Sequence, residues 1–361
     1  MGPRGLTDLG SPARRRRSLG RSRALLLCAI AVVLSGCGGP VSVAAPASDG
    51  AHPRLPALGV DAQIEGITAA QRHAEFTQLA TMGASWIRVS ASWLEVEPSK
   101  GAVDGGKLRE LDQVIADAAS EGMRTLIIGT DQIPDWAGGG TASASEAYGS
   151  FMGVLARHFR GRGPGGTSPA YEIVNEPNGV QEDGQTWAPA DYAHAACSSF
   201  RAIKSHDPAA VVAAGSLGDL DASGWEPWLR AAFKAGLGGC FDVLSTHPYS
   251  GWDVLNQVRR VAAAAGSPGV PIWVTEFGFP TCGLESCVSE TEQANSYVER
   301  IEELGRDYPW VPVAIMYEAW DEPQALDKGP EERAFGLFKR TNNGAVGKPA
   351  VGAIQALYRR S

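Results

Sequence analysis

Short apolar runs alternate with helical segments eight times between residue 57 and the C-terminus, and this alternation constrains the fold most. The runs are mostly continuous in apolar residues, as in parallel strands that are buried on both faces. Strands that alternate with helices favour βαβ units, and eight such units favour a single (β/α)8 TIM barrel, an α/β fold. A doubly wound open sheet is the alternative. No strand is followed by Gly-x-Gly-x-x-Gly, however, so a nucleotide-binding sheet loses support.

The individual elements are predicted from composition and from capping signals. The predicted strands cover residues 57–63, 86–90, 124–128, 170–174, 211–214, 241–246, 272–275 and 313–317. The predicted helices cover residues 68–82, 107–120, 145–160, 189–206, 226–235, 252–265, 289–304 and 349–358. Thr68-Ala-Ala-Gln71 and Ser289-Glu-Thr-Glu292 have the form of capping boxes, which satisfy free N–H groups in the first turn of a helix.

The first 56 residues do not have the pattern of a folded domain. Residues 1–36 combine a cluster of arginines with a short apolar run and small residues, which predicts an export signal. The sequence Leu34-Ser-Gly-Cys37 resembles a bacterial lipobox, so we expect cleavage before Cys37 and attachment of lipid to it. A plain secretory signal or an uncleaved anchor is the alternative. Residues 37–56 are rich in Ala, Pro, Gly and Ser, which is typical of a flexible tether, and 57–361 form the domain.

The charge of the chain bears on its partners. The formal net charge is −8, and it falls to near −14 without residues 1–36, which hold seven basic residues and one acidic residue. The remaining chain has no arginine-rich run, which argues against a nucleic-acid partner. We expect an extracytoplasmic monomer, either secreted or in contact with the membrane through its N-terminal lipid only.

Four cysteines lie in the predicted exported domain. Cys282 and Cys287 flank a short loop and are a good pair for a disulfide in an oxidising compartment. Cys197 and Cys240 are then paired by elimination, although four cysteines allow three connectivities. Metal binding is the alternative, but the C-x2-C spacing and the nearby histidines of a zinc site are missing.

Two glutamates follow predicted strands in similar contexts. Glu176 lies in Asn175-Glu-Pro177, where the proline ends a strand, and Glu276 lies in Val-Thr-Glu-Phe-Gly at the end of another. In a barrel of this kind, the loops after the carboxyl ends of the strands build the active site. We therefore expect the two carboxylates to form a pair. The alternative is that each is a solvated loop residue.

Other polar and aromatic residues are predicted at the same rim. They are Arg88, Trp93, Trp136, Asn175, His247, Tyr249 and Trp320. Such a mixture suits carbohydrate, because aromatic faces stack on sugar rings while polar groups bind the hydroxyls. For the tryptophans, packing in the core is the alternative; for Arg88 it is an ion pair at the rim, and for His247 a structural role.

Together these motifs resemble the clan A glycoside hydrolases, especially family 39, with family 5 as its neighbour. The resemblance covers roughly residue 58 to the C-terminus, and it rests on Asn-Glu-Pro, His247-x-Tyr249 and Thr-Glu-Phe-Gly in that order. It implies that Glu276 is the nucleophile and Glu176, with a raised pKa, the acid/base of a retaining enzyme. The carboxyl groups of such a pair stand about 5–5.5 Å apart.

The resemblance also assigns roles to the neighbouring residues. Arg88 and Tyr249 would keep the nucleophile ionised, Asn175 would bind the sugar 2-hydroxyl, and His247 would orient the network. The match of Trp320 on the last strand is loose. The reaction needs two carboxylates only, so no cofactor or metal is expected. A carbohydrate-binding lipoprotein without activity and a transglycosidase that remodels envelope glycan are the alternatives.

Overall fold

The protein folds as a closed barrel of eight parallel strands that neighbour one another in chain order, as predicted. The computed structural model describes residues 54–361 except 63, 65–66, 131, 180–185, 219, 221–223, 326–327 and 342–343. The predicted signal segment, Cys37 and most of the predicted tether lie outside the described residues. The barrel strands are β1 Ala57–Asp61, β2 Trp86–Ala91, β3 Arg124–Gly129, β4 Ala170–Ile173, β5 Val212–Leu217, β6 Val243–Thr246, β7 Ile272–Phe277 and β8 Val313–Met316.

Helices surround the barrel. They are α1 Ala69–Met82, α2 Trp93–Val96, α3 Gly105–Ser120, α4 Thr141–Phe159, α5 Pro189–His206, α6 Trp225–Ala232, α7 Asp253–Ala264, α8 Glu290–Asp307 and α9 Pro349–Tyr358. Both predicted capping boxes are present, at Thr68 before α1 and at Ser289 before α8. α1 ends at Gly83, whose φ of 117° is accessible mainly to glycine.

Two features were not predicted. One is the single turn α2, which Ser92 caps by accepting a hydrogen bond from the Glu95 N–H. The other is a small antiparallel hairpin of β9 Phe338–Thr341 and β10 Gly344–Gly347, which precedes α9. Both elements are too short to show a clear hydrophobic period, which is the main signal for secondary structure in a sequence.

The amino-terminal half of the barrel interior is filled by apolar side chains. This cluster consists of Trp86, Leu126, Ala170, Ala213, Val243, Trp273, Val313 and Ile315. The rings of Trp86 and Trp273 meet edge to face, with centroids 5.1 Å apart. Because apolar side chains fill the amino-terminal end of the barrel, a polar site can form only at the carboxyl ends of the strands.

Two disulfides join the four cysteines as predicted. Cys197 pairs with Cys240, with a Cα–Cα distance of 4.7 Å, and Cys282 pairs with Cys287 at 5.6 Å. Disulfides are typical of proteins outside the cytoplasm. Within the described part of the chain, no helix has both the length and the apolar character that a membrane crossing requires.

Candidate active site

Arg88 is the centre of the polar network at the carboxyl mouth of the barrel. Its side chain comes from β2 and is only 4% exposed. It donates hydrogen bonds from Nε to Glu172, from Nη1 to both Asp61 and Glu276, and from Nη2 to Asn175, at distances of 2.7, 2.6, 2.6 and 2.9 Å. One guanidinium therefore joins residues from β1, β4 and β7.

Glu276 ends β7 and is held on both carboxylate oxygens. Oε1 accepts from Arg88, and Oε2 accepts from the Tyr249 hydroxyl at 2.7 Å. The side chain is 9% exposed, so little of it meets solvent. Burial raises the pKa of Tyr249 well above its ordinary value, so this phenol stays protonated and donates.

Glu176 approaches from the opposite side, just beyond β4. Its Oε1 lies 2.8 Å from His247 Nδ1, and its side chain is 38% exposed. The ligand atoms of Glu176, His247 and Glu276 all lie within 4.8 Å of one another, so the two carboxylates face each other at short range. The structure thus brings the two sequence-predicted glutamates together with Arg88, Asn175, His247 and Tyr249.

The backbone around Glu176 has unusual geometry. Val174 and Glu176 have φ angles of 55° and 42°, and Ser216 at the end of β5 has 41°. Non-glycine residues rarely adopt this left-handed region, and such strain gathers at functional sites. Gly218 makes room for the carboxyl group, because a Cβ there would lie 2.3 Å from the Glu176 carboxyl carbon. Asn178 fixes this glycine by bonding both its N–H and its C=O.

Comparison with a protein-family profile identifies the family of the chain. The profile described as Cellulase (glycosyl hydrolase family 5) matches residues 59–311. The chain belongs to glycosyl hydrolase family 5. It is therefore a glycosidase by family, and carbohydrate is its class of substrate.

The profile corrects the order of the two families named from the sequence. The sequence motifs favour family 39 over family 5, but short motifs such as Asn-Glu-Pro do not separate neighbouring families. Family 39 remains a structural relative. A family 39 glycoside hydrolase from Bacteroides cellulosilyticus WH2 is 19% identical, with a TM-score of 0.63 and coverage of 84% of this chain and 63% of that one.

Solved family 5 and mannosidase structures have the same fold. GH5_18 from Streptomyces cattleya, in complex with GlcNAc, has a TM-score of 0.67 at 17% identity, covering 85% of this chain and 80% of that one. The exo-beta-1,4-mannosidase Op5Man5 from Opitutaceae bacterium strain TAV5 has a TM-score of 0.63 at 15% identity, covering 85% and 60%. The chain thus spans less than two thirds of the family 39 enzyme and of the mannosidase. No curated protein matched the sequence.

In this family 5 site, the predicted direction of one pKa is wrong. Burial acts to raise the pKa of Glu176, but the hydrogen bond and the charge of His247 outweigh it, and the net pKa is lowered. For the same reason the pKa of His247 is raised: burial opposes its charge, but Glu276 and Glu176 favour it more strongly. The spatial contact between the two residues is not visible in the sequence.

The imidazole of His247 is also hydrogen-bonded on the side away from Glu176. Its Nε2 lies 3.2 Å from the Ser216 hydroxyl, and the Ser216 N–H donates to Ser245 Oγ at 2.9 Å. All three side chains are buried. The imidazole therefore cannot rotate without losing a bond to Glu176 or to Ser216.

Two of the predicted rim tryptophans, Trp93 and Trp320, lie in the core. Trp93 is fully buried and packs edge to face on Tyr148, whose hydroxyl accepts from the Val174 N–H at 3.0 Å. Its ring thus supports the end of β4 and offers no face to a sugar. Trp136 is partly exposed and packs on Trp93, with its indole N–H bonded to the Glu97 carbonyl.

Trp320 is also fully buried, with the Arg340 guanidinium 4.5 Å from its ring centroid, so its ring is closed to a sugar, in contrast to the expected rim position. The aromatic residue that β8 sends to the mouth is Tyr317. It is partly exposed and lies 6.4 Å from Tyr249 and 5.4 Å from Phe335 between ring centroids. Trp320 and Tyr317 are three residues apart, and the sequence alone does not show where the strand ends.

Four residues of the network had no role from the sequence. Asp61 and Glu172 bind Arg88, whereas Ser216 and Gly218 contact His247 and Glu176. Asp61 and Glu172 could be found from the sequence, because an acidic residue inside an apolar strand is expected to be buried and to need a partner. No comparable signal marks Ser216 or Gly218.

Glu176, His247 and Glu276 are the group among the described residues that could offer three ligand atoms to a metal ion. These atoms already take part in hydrogen bonds, and the Arg88 guanidinium is 2.6 Å from Glu276. A cation at this point would meet another cation, so the donors are better suited to a hydrogen-bond network.

Proposed function

We propose that the protein hydrolyses O-glycosidic bonds by double displacement, with retention of anomeric configuration. The observation that supports this most is the short separation of Glu176 and Glu276, which have one oxygen each within 4.8 Å. Retaining glycosidases place their carboxyl groups about 5–5.5 Å apart, whereas inverting enzymes leave about 6.5–9.5 Å for a water molecule.

In the first step, Glu276 attacks the anomeric carbon as the bond to the leaving oxygen breaks. Glu176 gives its proton to that oxygen, and a glycosyl-enzyme ester remains. Arg88 and Tyr249 favour the anionic nucleophile by charge and by a hydrogen bond. Asn175 uses its Oδ1 on Arg88, which leaves its amide N–H groups for the sugar 2-hydroxyl.

In the second step, Glu176 takes a proton from water, the water oxygen bonds to the anomeric carbon, and Glu276 departs as a carboxylate. A lowered pKa suits Glu176 as this base. The first step needs its protonated form instead. A sugar that excludes solvent from the cleft favours that form, because desolvation disfavours the charge.

We also propose an oligo- or polysaccharide substrate and a position at the cell surface, with lipid on Cys37. The export pattern of residues 1–36 and the two disulfides support an extracytoplasmic site of action. The N-terminal peptide of the wild-type protein should carry a lipid on Cys37, as read from its mass, and Cys37→Ser should lack it. A wild-type N-terminal peptide without lipid would contradict the lipid anchor.

The reaction is tested with 4-nitrophenyl and unactivated glycosides of glucose, mannose, galactose and xylose. Glu276→Gln should abolish turnover on both substrate types, because no covalent intermediate can form. Glu176→Gln should lower kcat/KM by about 100- to 10,000-fold on unactivated glycosides, the usual contribution of general acid catalysis. The same variant should lower the rate of the first step much less for 4-nitrophenyl glycosides, because their leaving group needs no proton.

Glu95→Gln is the matched control, since Glu95 lies on α2 and is exposed. It should leave both rates unchanged. NMR of the first product should show the anomer of the substrate. An inverted product would refute double displacement, and binding of sugars without turnover of any glycoside would favour a carbohydrate-binding protein instead.

A further inference from the structure

The proposed reaction leaves Asp61, which belongs to the Arg88 network, without a role. It ends β1, and its register partner on β2 is Arg88. Its Oδ2 lies 2.6 Å from Arg88 Nη1, the same nitrogen that donates to Glu276 Oε1 at 2.6 Å. The two carboxylates therefore flank a single nitrogen and lie side by side.

The other oxygen of Asp61 is available to a ligand. Among the described residues, none donates a hydrogen bond to Oδ1, and this atom is not one of the fully enclosed polar atoms. The Asp61 side chain is 9% exposed, as is that of Glu276. Since the amino-terminal end of the barrel is filled by side chains, this exposure is toward the carboxyl mouth.

The surroundings of Asp61 are rich in negative charge. The carboxyl groups of Asp61, Glu172 and Glu276 share one guanidinium, and the neighbouring Tyr317 adds only a neutral hydroxyl. Burial raises the pKa of Asp61 to about 6, against the opposing effect of Arg88. A further anion placed here would therefore be repelled, whereas a hydrogen-bond donor would be stabilised.

We propose that Asp61 is a specificity-determining residue that binds a hydroxyl of the sugar ring lying over Glu276. This rests on the proposed function, which places that ring. Asp61 binds Arg88 Nη1 and Asn175 binds Nη2, so they lie on different sides of the guanidinium and reach different parts of the ring. The hydroxyl is therefore one other than the 2-hydroxyl, and uronic acids are rejected in favour of neutral sugars.

The test measures how strongly the enzyme distinguishes a sugar from its deoxy analogues. The 4-nitrophenyl glycoside that wild type cleaves best is compared with its monodeoxy derivatives and with the matching uronide. One deoxy derivative, not the 2-deoxy one, should lose about 100-fold or more in kcat/KM, because the carboxylate then lacks its donor. In Asp61→Ala, that derivative and the parent should differ less than about threefold, and the relative rate on the uronide should rise.

Glu172→Gln separates a role in binding from a role in positioning Arg88. Glu172 bonds Arg88 Nε at 2.7 Å but is fully buried and cannot touch substrate. This variant should lower all rates in proportion and keep the deoxy discrimination of wild type. If Asp61→Ala gives the same proportional loss, Asp61 acts only through Arg88 and the proposal is wrong.

A binding measurement tests the role of Asp61 separately from the proposed hydrolysis. Methyl glycosides of the same sugars are titrated into Glu276→Gln and into Glu276→Gln combined with Asp61→Ala. If only the double variant fails to distinguish the parent sugar from its deoxy analogue, the role of Asp61 is supported. This holds even if wild type hydrolyses no glycoside, and then only the proposed hydrolysis is wrong. Equal discrimination in both variants overturns the role of Asp61.

Discussion

The two sides of the proposed catalytic cleft are built differently. On one side, Glu276 is 9% exposed and held on both oxygens by Arg88 and Tyr249. On the other, Glu176 is 38% exposed and is held by a titratable partner, His247, beside a glycine that gives it space. The first arrangement holds the carboxyl group in one position, whereas the second leaves a carboxyl group in contact with solvent and with a titratable partner. The predictions below test this difference.

The largest effect is expected from filling the space beside Glu176. Gly218→Ala would place a Cβ 2.3 Å from the carboxyl carbon, so the side chain must move. A displacement of about 1 Å costs on the order of 100-fold in rate. We expect that loss in kcat on unactivated glycosides, with a smaller loss on 4-nitrophenyl glycosides.

Gly238→Ala is the control, because a Cβ there meets no atom within 4 Å. It should keep full activity. Equal losses on both kinds of substrate in Gly218→Ala would mean that the change also disturbs the Glu276 side of the cleft.

A moderate effect is expected from removing one of the hydrogen bonds to Glu276, the proposed nucleophile. Tyr249→Phe removes the hydroxyl that donates to Glu276 Oε2 at 2.7 Å. A hydrogen bond to a charged group contributes about 1.5–3 kcal/mol, so kcat/KM should fall on the order of 10- to 100-fold. The loss should be the same for good and poor leaving groups, in contrast to Gly218→Ala. Tyr308→Phe removes a hydroxyl that follows α8 and contacts Asp253 at 3.5 Å, and it should change neither rate. A leaving-group dependence in Tyr249→Phe would contradict the proposed role.

The smallest effect is a shift in pH dependence. The alkaline limb of kcat/KM reports the pKa of the group that must be protonated in the free enzyme, which is Glu176 in the proposed reaction. His247 lowers that pKa, so removing its charge while burial remains should raise it. The alkaline limb of His247→Asn should therefore move to higher pH. His158→Asn, which changes a histidine outside the cleft, should leave the limb in place; an unchanged limb in both variants would show that His247 does not set the pKa of Glu176.

The sequence predicted the barrel and most of the residues that line its mouth. A polar residue at the carboxyl end of a strand that is buried on both faces is expected at the mouth of the barrel, so His247 and Glu276 could be found from the strand ends. Arg88 lies in the middle of β2, where a charged residue in an apolar strand is the signal. The contact between His247 and Glu176 joins residues 71 positions apart, and the space at Gly218 depends on the approach of β5 to the end of β4. The direction of the Glu176 pKa depends on that contact and could not be read from spacing.

The aromatic residues show the same limit. Tyr317 and Trp320 both follow an apolar run, and only the position where β8 ends decides which one reaches the mouth. Asp61 also ends a strand, but its place beside Arg88 depends on the register of β1 against β2, which the sequence does not show.

Because several residues share the Arg88 guanidinium, a change in the sugar preference of the enzyme is expected to affect its reactivity. Arg88 is bonded at once to Asp61, Glu172, Asn175 and Glu276. A change at any one of them redistributes the positive charge among the remaining three, so selectivity and reactivity are coupled through a common counter-ion. Directed evolution of this cleft should therefore yield paired substitutions, in which a second change restores the field at the nucleophile that the first one altered.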